Sequence, residues 1–187
     1  MRLARRAVDL GMNDDDAVAL ARGGHAVAFL SGELASGIAC VDRALALNPN
    51  LATAWYLSGW LRAYDGQTEV AIEHFAHAMR LSPLDPTYYH MQVGTGFAHL
   101  LAGRFDDAIL WADKAFQHEP RYISAAAVMP ASHALAGRKK EARAEMRRLR
   151  QIDPGLRLSN LKEWFPIHRP EHFAKWVKGL QTAGLPE

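Results

Sequence analysis

The 187-residue sequence predicts an all-α solenoid of antiparallel helix pairs, and three sets of residues predict it. Prolines stand at 49, 83, 120 and 154, glycines at 32, 66, 103 and 137, and the set Ala44, Ala78, Ala115 and Leu149 has the same spacing of 34, 37 and 34. Three kinds of residue on one ruler mark a repeated helix–turn–helix unit, stacked so that neighbours bury each other's apolar faces. Composition agrees with a folded chain: 49% hydrophobic and 22% charged residues suit a domain with its own core. The single 37 places a three-residue insertion near 84–88.

The elements follow in order. Residues 1–14 read as the second helix of an incomplete repeat, as at the end of a longer protein. Leu3, Ala7, Val8 and Leu10 would lack their usual cover there, so a homodimer through this edge is expected. Four helix pairs then span 15–50, 51–85, 86–121 and 122–155, followed by a connector and capping helix over 156–187. In the second pair, Gly66 is a helix stop and Pro83 ends the helix before it. Gly59 and Ala71 are small residues where helices are expected to cross closely, with Trp55, Phe75, Ala78 and Leu81 filling the seam. In the first pair, Gly24 lies eight residues before Gly32, where Gly59 and Gly96 lie seven before theirs, so an extra residue is expected in that turn. Pro130 removes a backbone donor inside the fourth pair and predicts a kink. At the C-terminus Pro170 suits a first helical position, and Phe173, Trp176, Val177 and Leu180 form one apolar stripe.

These residues resemble the tetratricopeptide repeat, whose pattern is a Trp, a Leu-Gly, a Tyr, then Ala, Phe and Pro over 34 residues. Trp55, Gly59, Ala71, Phe75, Ala78 and Pro83 match it, as do Gly96, Gly103, Phe105, Ala108, Ala115 and Pro120. The first and fourth units match through Gly32, Ala44, Leu47 and Pro49, and through Gly137, Ala142, Ile152 and Pro154. The resemblance covers about 18–154 and implies a right-handed superhelix with a concave, partner-binding face. Arg62, His99 and His133 depart from it where the family has an aromatic residue. Residues 81–86 and 158–187 also resemble the C-terminal repeat region of bacterial class III adenylate/guanylate cyclases and related regulators. That resemblance implies a regulatory fragment or relative, but the chain carries none of the family's metal-binding aspartates, so cyclase activity does not carry over.

The chemistry is sparse, and no enzyme is expected. A formal net charge of +2 supplies no drive toward nucleic acid or an anionic membrane, and neither partner is expected. One cysteine, Cys40, excludes an intrachain disulfide and reads as a small buried hydrophobe. The basic start is followed by Asp9, Asn13 and Asp14–Asp16 rather than an apolar run, so a cytoplasmic chain is expected. Gly94-Thr95-Gly96 lies in a helical segment without a preceding strand, which argues against a phosphate loop. His74 and His77 are spaced to clip a metal but have no third ligand, so neither metal nor cofactor is expected. His99 and His133 are expected in packing positions. The segment 138–150, with seven cations and two acids, reads as a solvated face. Function is expected in recognition of a peptide or protein. The groove positions, one stripe on the first helix of each pair, are Arg22, Ala26 and Phe29; Thr53, Tyr56, Trp60 and Ala63; His90, Val93, Phe97 and Leu100; and Ser124, Ala127 and Ala131. The chain's own Trp164-Phe165-Pro166 is the competing occupant of that groove.

Overall fold

Every second helix of a pair stops two residues before a proline. In the computed structural model, which describes residues 1–187 apart from the side chain of Trp164, these helices are α3 (Leu34–Leu47), α5 (Thr68–Leu81), α7 (Phe105–His118) and α9 (Lys139–Ile152). The residue between helix and proline lies outside the α region in each case, with φ from −131° at Asp153 to −141° at Asn48. The proline ring excludes the α conformation from the residue before it, so the stop is local and steric. The first helices are α2 (Ala17–Ser31), α4 (Ala52–Tyr64), α6 (Tyr88–Ala102) and α8 (Ile123–Leu135). Each is followed by its ruler glycine at positive φ: 74° at Gly32, 83° at Gly66 and Gly103, and 81° at Gly137. A side chain at these positions would strain the turn.

The chain divides into two compact units, Met1–Asp85 and Pro86–Glu187, within the insertion read from the 37-residue spacing. The first unit holds α1 (Arg2–Asp14) and α2–α5. Asp16 caps α2, its carboxylate accepting from the Val18 and Ala19 amides at 2.9 and 3.1 Å. The extra residue of the first pair sits in α2 itself and not in the turn, because α2 runs unbroken up to Gly32. One core cluster of this unit gathers Leu20, Ala21, Ala44, Ala54 and Leu57, and Phe75 and Ala78 are also fully buried in the unit.

Paired helices meet at small residues. A Cβ on Gly24 would lie 2.5 Å from the Cys40 Cβ, and one on Gly37 would lie 2.6 Å from the Ala28 Cβ. A Cβ on Gly59 would lie 2.7 Å from the Phe75 ring, and one on Gly96 would lie 3.0 Å from the Ala108 carbonyl oxygen. The glycines let the backbones approach and recover their helix-propensity cost of about 1 kcal/mol through closer packing.

The second unit holds α6–α9, a 3-10 turn (Leu158–Asn160), the short α10 (Leu161–Trp164) and α11 (Pro170–Ala183). α8 continues through the buried Pro130 to Leu135, so the missing donor does not end the helix. α11 starts at Pro170, as its sequence predicts, and ends at Gly184 with φ 104°. It packs chiefly on α8, with smaller contacts to α9 and α6. Gly179 makes that approach possible, since a Cβ there would stand 2.9 Å from the Ala131 carbonyl oxygen. The Leu158 amide donates to the Pro186 carbonyl at 2.9 Å, which ties the chain end back to the 3-10 turn. Leu156, Leu161, Phe165, Trp176, Leu180, Ala183 and Leu185 are buried, so this segment is core rather than tail.

Two stability measurements check this packing. Gly59→Leu should overpack the α4–α5 seam and lower unfolding free energy by about 1–3 kcal/mol or more in urea melts; an unchanged midpoint would place the glycine outside a close crossing. Trp176→Ala should cost about 3–5 kcal/mol, and deletion of 164–187 should lower both melting temperature and solubility.

Candidate functional site

The first-helix stripe divides between the two units. In the first unit, Arg22 and Phe29 are exposed on α2, with Ala26 half-buried between them. Arg22 has no ion partner among the described residues. On α4, which packs against α2, Thr53 and Tyr56 are half-buried. The Tyr56 ring leans on Phe75 at 6.5 Å and on the core cluster, which leaves part of it accessible. Trp60 is only 4% exposed and meets Phe75 edge-on at 5.6 Å and Tyr64 at 5.7 Å. It therefore packs in the helix seam rather than standing as a groove anchor, and Ala63 is buried with it.

His25 was not among the expected groove residues. It lies one turn from both Arg22 and Phe29, with its ring stacked 6.1 Å from Phe29. Burial lowers its pKa from 6.5 to about 4, so the imidazole is neutral at pH 7. Its spacing from Arg22 and Phe29 was the available signal.

In the second unit the stripe is covered by the chain itself. Val93 and Phe97 are fully buried, as are Leu100 and Ala131, and Ala127 nearly so. The Phe165 ring stacks on Phe97 at 4.7 Å and 18°, while Trp176 stands edge-on to both rings, at 6.0 Å from Phe97 and 5.1 Å from Phe165. The Lys175 ammonium donates to the Leu101 carbonyl. Val93 and Phe97 thus line no open surface, and Phe165 and Trp176 cover the Phe97 ring. Trp164, named with Phe165 as a competing occupant, has its side chain outside the described residues. His90 is half-buried beside Tyr89 at 4.4 Å and stacked on Tyr122 at 4.8 Å and 8°. Ser124 is half-buried next to Tyr122, whose hydroxyl pKa is raised by burial.

Four further histidines, His74, His77, His99 and His133, are engaged in structure. His74 Nδ1 lies 2.9 Å from Ser58 Oγ and His77 Nδ1 lies 3.1 Å from an Arg80 nitrogen, with Trp55 against both rings at 4.8 and 4.3 Å. Among the described residues no group of three or more His, Cys, Asp or Glu side chains is placed to hold a metal ion. His99 Nδ1 accepts from Arg104 Nε at 2.9 Å, and His133 Nδ1 accepts from Arg138 Nε at 3.2 Å. Arg138 in turn pairs with Asp106 at 2.6 Å. Arg62, at the matching position of the second pair, reaches Gln67 at 3.2 Å and Asp42 at 2.7 Å. In the second and fourth pairs these residues tie the turn to an acid on the preceding helix, Asp42 on α3 and Asp106 on α7. On α9, Lys139, Lys140, Arg143, Arg147 and Arg150 are exposed, while Arg148 lies 3.6 Å over the Phe116 ring. Cys40 is buried, which raises its thiol pKa.

The histidines set a pH dependence. Burial is the largest cause lowering the pKa of His25, His74, His133 and His172. The folded state therefore binds protons later than the unfolded state, so stability is complete above about pH 6.5 and falls as pH drops below it. Between pH 7 and 4, wild type should lose about 2–3 kcal/mol more than His25→Gln in paired urea titrations. Parallel curves would remove His25 from the account.

No protein-family model matches the chain, and no curated protein sequence matches it. Solved structures do. The type IV pilus biogenesis factor PilW superposes with a TM-score of 0.71 at 19% identity, over 93% of this chain and 76% of that one. A structure of MamA gives 0.66 at 18% identity over 81% and 86%. YrrB, described as a TPR protein with an unusual peptide-binding site, gives 0.59 at 18% identity over 96% and 91%. At such identities the likeness is one of fold, and the chain has the all-α helix-pair fold of a tetratricopeptide-like solenoid.

Proposed function

We propose that this protein is a non-catalytic interaction module that holds a peptide or protein segment on the first-helix face of its first unit. The observation that carries the reading is the contrast between two corresponding faces. In the second unit an aromatic segment of the chain itself lies on Phe97. In the first, Arg22, Phe29, Thr53 and Tyr56 remain at least partly accessible. An aromatic ring supplies contact area at small conformational cost, and an unpaired guanidinium favours an acidic group beside the anchored residue. A segment with one apolar anchor and a neighbouring carboxylate suits this face. His90 and Ser124 belong to a separate cluster with Tyr89 and Tyr122 in the second unit. The likeness in fold to YrrB supports peptide recognition. Attachment to a nucleotide cyclase or transcription regulator is a narrower form of the same reading and rests on the sequence resemblance alone.

Selection from a displayed peptide library against the immobilised chain should enrich sequences with an apolar anchor beside an acid. Tyr56→Ala and Arg22→Glu should each weaken a selected peptide about tenfold or more, as expected for central anchors. Lys140→Ala, on the exposed face of α9, should leave it unchanged. Equal affinity for all three variants, with helicity intact, would remove this face from the proposal.

A further inference from the structure

Helix α1 breaks a local rule of helix design. Its first turn carries Arg2 and Arg5, followed by Arg6, with no acid, and its second half carries Asp9 and Asp14 with no base in the last turn. Cations at a helix N-terminus and anions at its C-terminus oppose the helix dipole, each by a few tenths of a kcal/mol in exposed positions. Arg5 is held by Glu33 at 2.6 Å, but Arg2, Arg6, Asp9 and Asp14 have no ion partner among the described residues.

The same helix exposes apolar side chains. Ala4, Val8 and Gly11 face α2, where Cβ atoms on Gly11 and Gly23 would touch Leu20 and Val8. Leu3, Ala7 and Leu10, at i, i+4 and i+7, form a different stripe. Leu3 is 79% and Leu10 48% exposed, with the half-buried Ala7 between them. On the charged side of the same helix lies an open hollow of about 590 Å³, lined by Met1, Arg2, Arg5, Arg6, Asp9 and Ser31.

We propose that this face is a self-association surface on which α1 pairs antiparallel with α1 of a second copy, independently of any groove ligand. A two-fold axis reverses the partner helix and sets its acidic half against the basic half of the first. With Leu3 opposite the partner's Leu10, Arg2 and Arg6 lie within one turn of the partner's Asp14 and Asp9, at 1.5 Å rise per residue. The pairing covers both leucines at once, and the small Ala7 sits near the axis where the helices come closest. It also offsets the unfavourable dipole arrangement at both helix ends. An anionic membrane would satisfy the arginines but would meet Asp9 and Asp14 on the same helix, so the charge pattern favours a second copy. A helix of 13 residues is about 20 Å long and covers less than a standard interface. Association is therefore weak, with half-dimerisation at about 50–500 μM.

Sedimentation equilibrium on the full chain, with charge-reversed variants, tests this. The wild type should rise from 20.7 kDa toward twice that mass over this range. Arg2→Glu/Arg6→Glu and Asp9→Lys/Asp14→Lys should each be monomeric alone, because like charges then face across the axis. An equimolar mixture of the two should associate at least as well as wild type, since every cross-pair is then complementary. Leu3→Gln/Leu10→Gln should abolish association, with circular dichroism confirming the helices. A wild-type monomer at 1 mM overturns the proposal, and so does a mixture that fails to associate. Arginine-dependent binding to phosphatidylserine vesicles by a chain that never self-associates overturns it in favour of a membrane.

Discussion

Backbone-to-backbone approach between paired helices is the constraint on which the rest of this structure depends. Gly24 against Gly37 and Cys40, Gly59 against Phe75, Gly96 against Ala108 and Gly179 against Ala131 are contacts where an added Cβ would press on a neighbour. Small residues at the crossing remove the bulk that would hold two helices 10 Å apart. Larger residues then fill the flanks, and so Phe75 and Phe97 are fully buried within a turn or two of the crossings. The penalty of glycine in a helix is tolerated because tertiary packing, not propensity, supplies most helical stability.

Once the crossings are set, the turns must close within a few residues, by a glycine at all four and by a side-chain bridge at the last three. A glycine at positive φ follows the first helix, and a side-chain bridge spans the turn. Arg62 reaches Gln67, His99 accepts from Arg104, and His133 accepts from Arg138. The two histidines serve only while Nδ1 is unprotonated. Replacing the family's aromatic residue with imidazole or guanidinium therefore substitutes a hydrogen bond for ring packing, and at His133, whose pKa burial lowers, it introduces sensitivity to acid.

What the sequence made legible was whatever is local. Pro49, Pro83, Pro120 and Pro154 act on the residue before them, and Gly32, Gly66, Gly103 and Gly137 act on their own φ. Both effects are independent of the surroundings, so spacing alone located them, as Pro170 located the start of α11. The candidate site was less legible because identical residue types serve opposite ends. Trp60 and Phe97 fall on the same stripe as Tyr56 and Arg22, and helical period alone does not separate a covered aromatic from an exposed one. The cover over Phe97 comes from Phe165 and Trp176, some 70–80 positions later, and its enabling contact is Gly179 on Ala131. No repeat register relates those positions. His25 was hidden by the extra residue in α2, which moves the first unit out of step with the others.

The contrast between the two first-helix faces follows from what each can expose to water. Phe97, Phe165 and Trp176 each carry about 150–250 Å² of surface. Leaving that cluster hydrated would forgo of order 10 kcal/mol of burial, comparable to the stability of a whole domain. A face built on Phe97 is therefore stable only when occupied, and a covalently attached occupant is always at hand. The first unit's face carries a guanidinium at Arg22, a hydroxyl at Thr53 and the phenol of Tyr56, groups that keep hydrogen bonds to water when uncovered. Such a surface costs less to leave in water than one built on Phe97. In this physical sense the second unit covers its first-helix face in folding, while the first leaves part of its own exposed.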